Sequence, residues 1–170
     1  YVVEKSGNDE IKLGALGVAL IAMSKYMKLK DSKKYLDVAQ ALARGIMKMR
    51  EEDGSFIHVL HYPSFEVKEK FRIIYYNGEA AFGLMRLYEI DPQPMWLDEV
   101  KSMFDYFIEN ELYKHGDHWL SYAANELTLH CPEDRYFEFG LRNCAQRVDY
   151  IYTRNTTFPT FLELMMACYK

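Results

Sequence analysis

The sequence predicts an all-α domain: a curved double layer of inner and outer helical hairpins with a small β-hairpin standing on its rim. Three observations predict it. A hairpin-length segment recurs along the chain, the two helices within each segment differ in apolar patterning, and one stretch between the first two segments alternates like a pair of strands.

The first copy covers residues 13–56 and the second residues 77–119. Each runs from an apolar helix through a turn to an aromatic-Leu-Asp start of a second helix, then to a glycine turn and an aromatic residue. The helix starts are Tyr35-Leu36-Asp37 and Trp96-Leu97-Asp98, and the glycine turns are Asp53-Gly54 and Gly116-Asp117. A third, shorter copy opens at "YAANELTLH" and restarts at Tyr136-Phe137-Glu138; a fourth opens at "FPTFLELMMACYK".

Residues 13–23 are apolar all round and carry Gly14, Ala15, Gly17, Ala19 and Ala22, so this helix is expected to be an inner one, enclosed at close approach by its neighbours. Its partner places Tyr35, Val38, Ala39, Leu42, Ile46 and Met49 near helical spacing with charged residues between, which describes an outer helix with one wet face. The second pair repeats the contrast. Ala80, Ala81, Gly83 and Leu84 suit tight packing, whereas Trp96, Val100, Met103, Phe104 and Phe107 form one stripe. Asp31-Ser32 and Asp91-Pro92 fall where helix starts prefer such residues. Between Ser55 and Ile74, two β-branched and aromatic runs flank Tyr62-Pro63-Ser64, the pattern of a β-hairpin.

With 170 residues, 49% of them apolar, the chain can bury one sizeable core, and residues 1–170 read as a single domain. A net charge of -4 lacks the basic excess that phosphate neutralisation needs, which argues against nucleic acid as a partner. The longest apolar run falls well short of the roughly 20 residues of a membrane span. Tyr1 is not an initiator methionine and no signal-peptide pattern follows it, so the chain is expected to be part of a longer protein. Cys131, Cys144 and Cys168 are widely spaced among helix-compatible residues; they are expected to be reduced, mostly buried thiols, which favours the cytoplasm.

The strings "EEDGSF", "YYNGEA", "WLD" and "HGDHW", set in inner-outer hairpins, resemble the (α/α) toroid group, which includes six-hairpin glycosidase-like proteins, polysaccharide lyases, uronyl C5-epimerases and lanthionine cyclases. The resemblance is architectural and covers nearly the whole chain. Complete rings in that group hold more hairpins than this chain shows, so it implies a partial ring: a fragment, an open array, or a ring completed by another domain or chain. It also implies a carbohydrate-active domain that binds a polysaccharide, and hydrolyses, cleaves or epimerises it, at the rim where inner helices begin.

Those starts carry Tyr75, Tyr76, Asn77 and Glu79, then Trp119, Tyr122, Asn125 and Glu126, then Thr156, Thr157 and Glu163. With the hairpins in register, Glu79, Glu126 and Glu163 are expected at equivalent depths, facing one cavity. Facing carboxylates divide acid from base or nucleophile in glycoside hydrolysis. Tyrosine with histidine or arginine suits proton abstraction beside a uronate instead. The candidate catalytic residues are therefore Glu79, Tyr76 and Glu126. Arg72, Tyr75, Asn77, Trp119, Tyr122 and His118 are the candidate substrate-binding residues, with the aromatic faces for sugar rings and Arg72 for an acidic group. Tyr75 and Tyr76 would face opposite sides if extended, with Tyr76 toward the rim.

The competing account of each glutamate is a helix-start residue that meets the dipole and caps free amides. A zinc site is not expected: His58 and His61 would point to opposite faces of a strand, and His130-Cys131 reverses the cysteine-histidine order of the cyclases. No cofactor motif is present. The alternative function is a non-catalytic module that docks another domain or chain, because the last helix lacks an outer partner.

Overall fold

The computed structural model describes residues 1–5, 9–145 and 158–169. Four short strands and seven helices are used below: β1 (Val3–Glu4), β2 (Glu10–Lys12), α1 (Leu13–Lys30), α2 (Leu36–Met47), β3 (Val59–His61), β4 (Val67–Glu69), α3 (Tyr75–Ile90), α4 (Pro94–Glu109), α5 (His118–His130), α6 (Asp134–Ala145) and α7 (Phe158–Tyr169). A 3-10 turn at Leu112–His115 joins α4 to α5.

Helices α1, α3, α5 and α7 form one row, each packed on the next, while α2, α4 and α6 pair with α1, α3 and α5 from behind. The rear helices each bury a single stripe: Ala39, Leu42, Ala43 and Ile46 from α2; Trp96, Val100, Met103, Phe104 and Phe107 from α4; Tyr136 and Phe139 from α6. Apolar side chains at three- and four-residue spacing make that stripe, so the alternation read from the sequence is a layered helical core.

The front row is held at backbone distance. A Cβ on Gly17 would meet the Glu79 carbonyl at 2.3 Å, and one on Gly83 would meet the Gly17 carbonyl at 2.6 Å. One turn up, the same approach brings Gly78 against the Leu120 amide and the Asp117 carboxylate. Asp117 is fully buried and caps α5, accepting from the Trp119 N–H at 2.9 Å and the Leu120 N–H at 3.3 Å.

The structure departs from the sequence reading in four places. Helix α1 is not enclosed all round: Val18 is 44% exposed and Ala22 is exposed, because among the described residues nothing covers the front of the row. Asp31 is not at the start of α2 but is the left-handed cap ending α1, and Pro94, rather than Pro92, occupies the first turn of α4. The hairpin does form, but β1 and β2 join it in a four-stranded antiparallel sheet ordered β1-β2-β3-β4, with Ile11 opposite Leu60. Two- and three-residue strands carry too little alternation to be read locally. The cysteines are free thiols, with Cys168 exposed rather than buried.

No helix among the described residues is long and apolar enough to cross a membrane. Replacing Gly17 with alanine forces a methyl group into the backbone of α3. Urea denaturation of Gly17→Ala is expected to show a loss of about 3 kcal/mol, the upper part of the usual overpacking range, with Ala19→Gly as a control that leaves the α1–α3 approach intact.

Candidate functional site

The inner helices start at one end of the row, beside the sheet. Tyr75 and Tyr76 lie in the first turn of α3 and are not extended, so they diverge by helical rotation. Tyr75 turns to α5, its ring 5.4 Å from that of His118; Tyr76 turns to α1 and the sheet, 5.3 Å from the ring of His58 and against Gly14.

Glu79 follows one turn along, its carboxylate over Gly14 in space that any Cβ there would occupy. No described residue forms an ion pair with it. Burial alone raises its carboxyl to about 7, so the group is poised to give or take a proton near neutrality.

Below Glu79 on the open face of α3 come Phe82 and Arg86, and the matching face of α5 carries Trp119, Tyr122 and Glu126. The rings of Phe82, Trp119 and Tyr122 form a triangle with centroid separations of 6.1, 5.7 and 6.0 Å. His118 packs at its edge, 5.1 Å from Trp119. Glu163 of α7 completes the far side: its carbonyl accepts from the Tyr122 hydroxyl at 2.9 Å, and its carboxylate lies 3.4 Å from His118 Nε2, outside hydrogen-bond geometry. Burial lowers both His58 and His118 to about 4, so each ring is neutral at physiological pH.

The expected common depth of the three acids does not hold. Glu126 accepts from Arg86 at 3.1 Å, which places it level with a residue seven positions beyond Glu79, about 10 Å further down the row. The α3–α5 register is set by Gly78 against Trp119 and Leu120, and it pairs Glu79 with Trp119 rather than with Glu126. Thr156 and Thr157 lie outside the described residues.

Arg72 does not face the groove. It forks onto Glu10, with Nη1 at 2.7 Å and Nη2 at 3.0 Å, and onto Glu69, with Nε at 2.7 Å. Together with Lys68 it holds the Glu10 carboxyl well below the carboxylate range. This pins β2 to β4 across the sheet. Asn77 turns away from the groove and, beside His58, lines a separate cleft behind it.

Two residues of the site were not singled out from sequence. Phe82 lies three residues after Glu79, which puts it on the same face. His58, expected on a strand, is buried where the chain before β3 meets Phe71 and Tyr76, a contact between segments that no local pattern shows. His130 is an exposed neighbour of Tyr88, and among the described residues no three His, Cys, Asp or Glu side chains converge as a metal would need.

Comparison with protein-family models, with curated proteins and with solved structures finds no match to this chain.

The three shifted groups give opposite pH signatures. Glu79 is raised in the folded state, so its contribution to stability is greatest below 4.5 and is lost as pH rises through about 7. The two histidines are lowered, so theirs is present above 6.5 and lost as pH falls through about 4. Denaturation series of the parent and Glu79→Gln across this range are expected to diverge with rising pH in favour of the variant and to reach a constant difference above about 7. Parallel curves would place the carboxyl in solvent.

Proposed function

We propose that the front of the helical row is a carbohydrate-binding groove of the (α/α) toroid kind, with Glu79 as its proton-transferring acid. The observation that carries the reading is the juxtaposition of a lone carboxyl, held near neutrality by burial, with the Phe82, Trp119 and Tyr122 rings one turn away. Flat rings accept the C–H faces of sugars, and a carboxyl titrating near neutral pH can protonate a glycosidic oxygen.

Neutral glycans fit better than uronates. The cations nearest the groove are already matched: Arg86 to Glu89 and Glu126, Arg72 to Glu10 and Glu69, and Lys12 to Glu4 and Glu10. An incoming carboxylate would compete with these pairs. In a two-carboxylate hydrolytic scheme the second acid is Glu163, whose exposed carboxylate lies on α7 beyond the aromatic triangle, and not Glu126. Tyr76, beside Glu79 over Gly14, is the neighbour placed to orient that carboxyl.

A docking module is the second reading, and one observation favours it. Along α7, Leu162, Met165, Met166 and Tyr169 are exposed, at 46, 55, 48 and 87%. Apolar side chains arrayed in this way on a terminal helix mark a surface suited to another domain or chain.

Thermal-shift and calorimetric titration with neutral and uronate oligosaccharides separates the two. The groove reading expects a dose-dependent rise in melting temperature with neutral oligosaccharides. Trp119→Ala is expected to weaken that binding about tenfold or more through loss of one stacking face. Glu79→Gln should retain binding while abolishing any turnover. A rise with no oligosaccharide, together with self-association relieved by Met165→Glu, would favour docking.

A further inference from the structure

A second concave site lies behind the first turn of α3. Asn77 precedes Glu79 by two residues, about 200° round the helix axis, so the two side chains leave opposite sides of α3. The cleft that Asn77 lines encloses about 270 Å³ between the loop after α2, the chain just beyond β4, and α4.

His58 and Asn77 form its floor, 1% and 7% exposed. His58 Nδ1 accepts the Arg72 backbone N–H at 3.1 Å, so in the neutral ring the proton sits on Nε2. The Asn77 side chain is a hydrogen-bonding neighbour of the His58 ring and favours its charged form, although its buried Oδ1 meets no donor in good geometry. A buried amide oxygen whose contact is that poor can accept from a better-placed donor.

Phe71 forms one wall, 60% exposed and with its ring 4.9 Å from that of His58; Tyr106 forms another. At the mouth, Lys70 donates to Glu51 at 2.7 Å, and the Ser55 hydroxyl reaches the same carboxylate at 3.2 Å.

We propose that this cleft binds a single neutral polyhydroxylated ring, a ligand of monosaccharide size. Each sugar hydroxyl both donates and accepts. The cleft offers both kinds of partner: Asn77, Glu51 and the Ser55 oxygen, whose proton goes to Glu51, accept, while His58 Nε2–H donates. The Phe71 face is open to a ring's C–H side. A charged ligand is disfavoured, because the mouth's lysine is already paired and burial keeps the floor imidazole neutral. The cleft shares no lining residue with Glu79 or with the Phe82, Trp119 and Tyr122 triangle, although its His58 also packs on Tyr76, and it stands whether or not the groove binds glycans.

The test titrates the isotope-labelled chain with glucose, galactose and mannose in turn, following backbone and side-chain amide resonances. At least one sugar is expected to give saturable shifts centred on residues 53–58 and 70–77, including the Asn77 side-chain amide, in the millimolar range typical of a small ligand. Phe71→Ala and Asn77→Leu are each expected to weaken binding about tenfold, while Trp119→Ala leaves it unchanged. Because Phe71 is largely exposed, its variant keeps the test valid even where Asn77→Leu does not fold.

Absence of saturable shifts with all three sugars overturns the proposal, as does a Phe71→Ala chain that binds like the parent. Saturable shifts centred on Phe82, Trp119 and Tyr122 also overturn it and transfer the sugar to the groove. Failure of the groove reading is seen separately, in oligosaccharide binding that is indifferent to Trp119.

Discussion

The close approach of α1 and α3 through Gly17 and Gly83 is the constraint on which the rest of the molecule depends. Helices that meet at side-chain distance can slide by a turn. Helices that meet backbone to backbone have one register, because each glycine admits a specific carbonyl. That register places Glu79 over Gly14, where its carboxylate loses water without gaining a cation. It is repeated one helix along, where Gly78 fits over the cap that Asp117 makes on α5 and brings Trp119 level with Glu79. The groove's spacing is thus a consequence of where glycines stand in the interhelical contacts.

Electrostatics divides the rim into an ion-paired side and a desolvated side. On the sheet, Glu10, Glu69, Lys68 and Arg72 satisfy one another in a partly buried network, and the strands β1 and β2, too short to be stable alone, are held by it and by Ile11 in the core. At the helix starts, by contrast, the titratable groups are desolvated with little compensation. Glu79 is pushed toward the neutral acid, and His58 and His118 toward the neutral base. Burial without a counter-charge is costly to a fold, and its concentration at one end of the row is what supports the proposal of a site there.

Much of the architecture was legible in the chain. Residues such as Trp96, Val100, Met103 and Phe107 recur at helical spacing against a polar background, and the small-residue faces of α1 and α3 announce close contact, because both signals are local and period-bound. The strands before α1 were not legible, since a two-residue strand is defined by its partner. The front of the row being open was not legible either: a helix apolar all round reads as enclosed, and its exposed Val18 depends on what lies opposite.

For the site, the sequence by itself determined which residues gather at the inner-helix starts: the tyrosines, Asn77, Glu79, Trp119 and Tyr122 lie there because helix boundaries follow from patterning along the chain. Only the tertiary structure decided what each one faces. The interhelical register lowered Glu126 onto Arg86, the sheet claimed Arg72, and the packing of α3 turned Asn77, about half a helical turn from Glu79, into a cleft on its other side. Depth and facing are set by contacts between residues some 40 to 60 positions apart, and no window of sequence contains both partners.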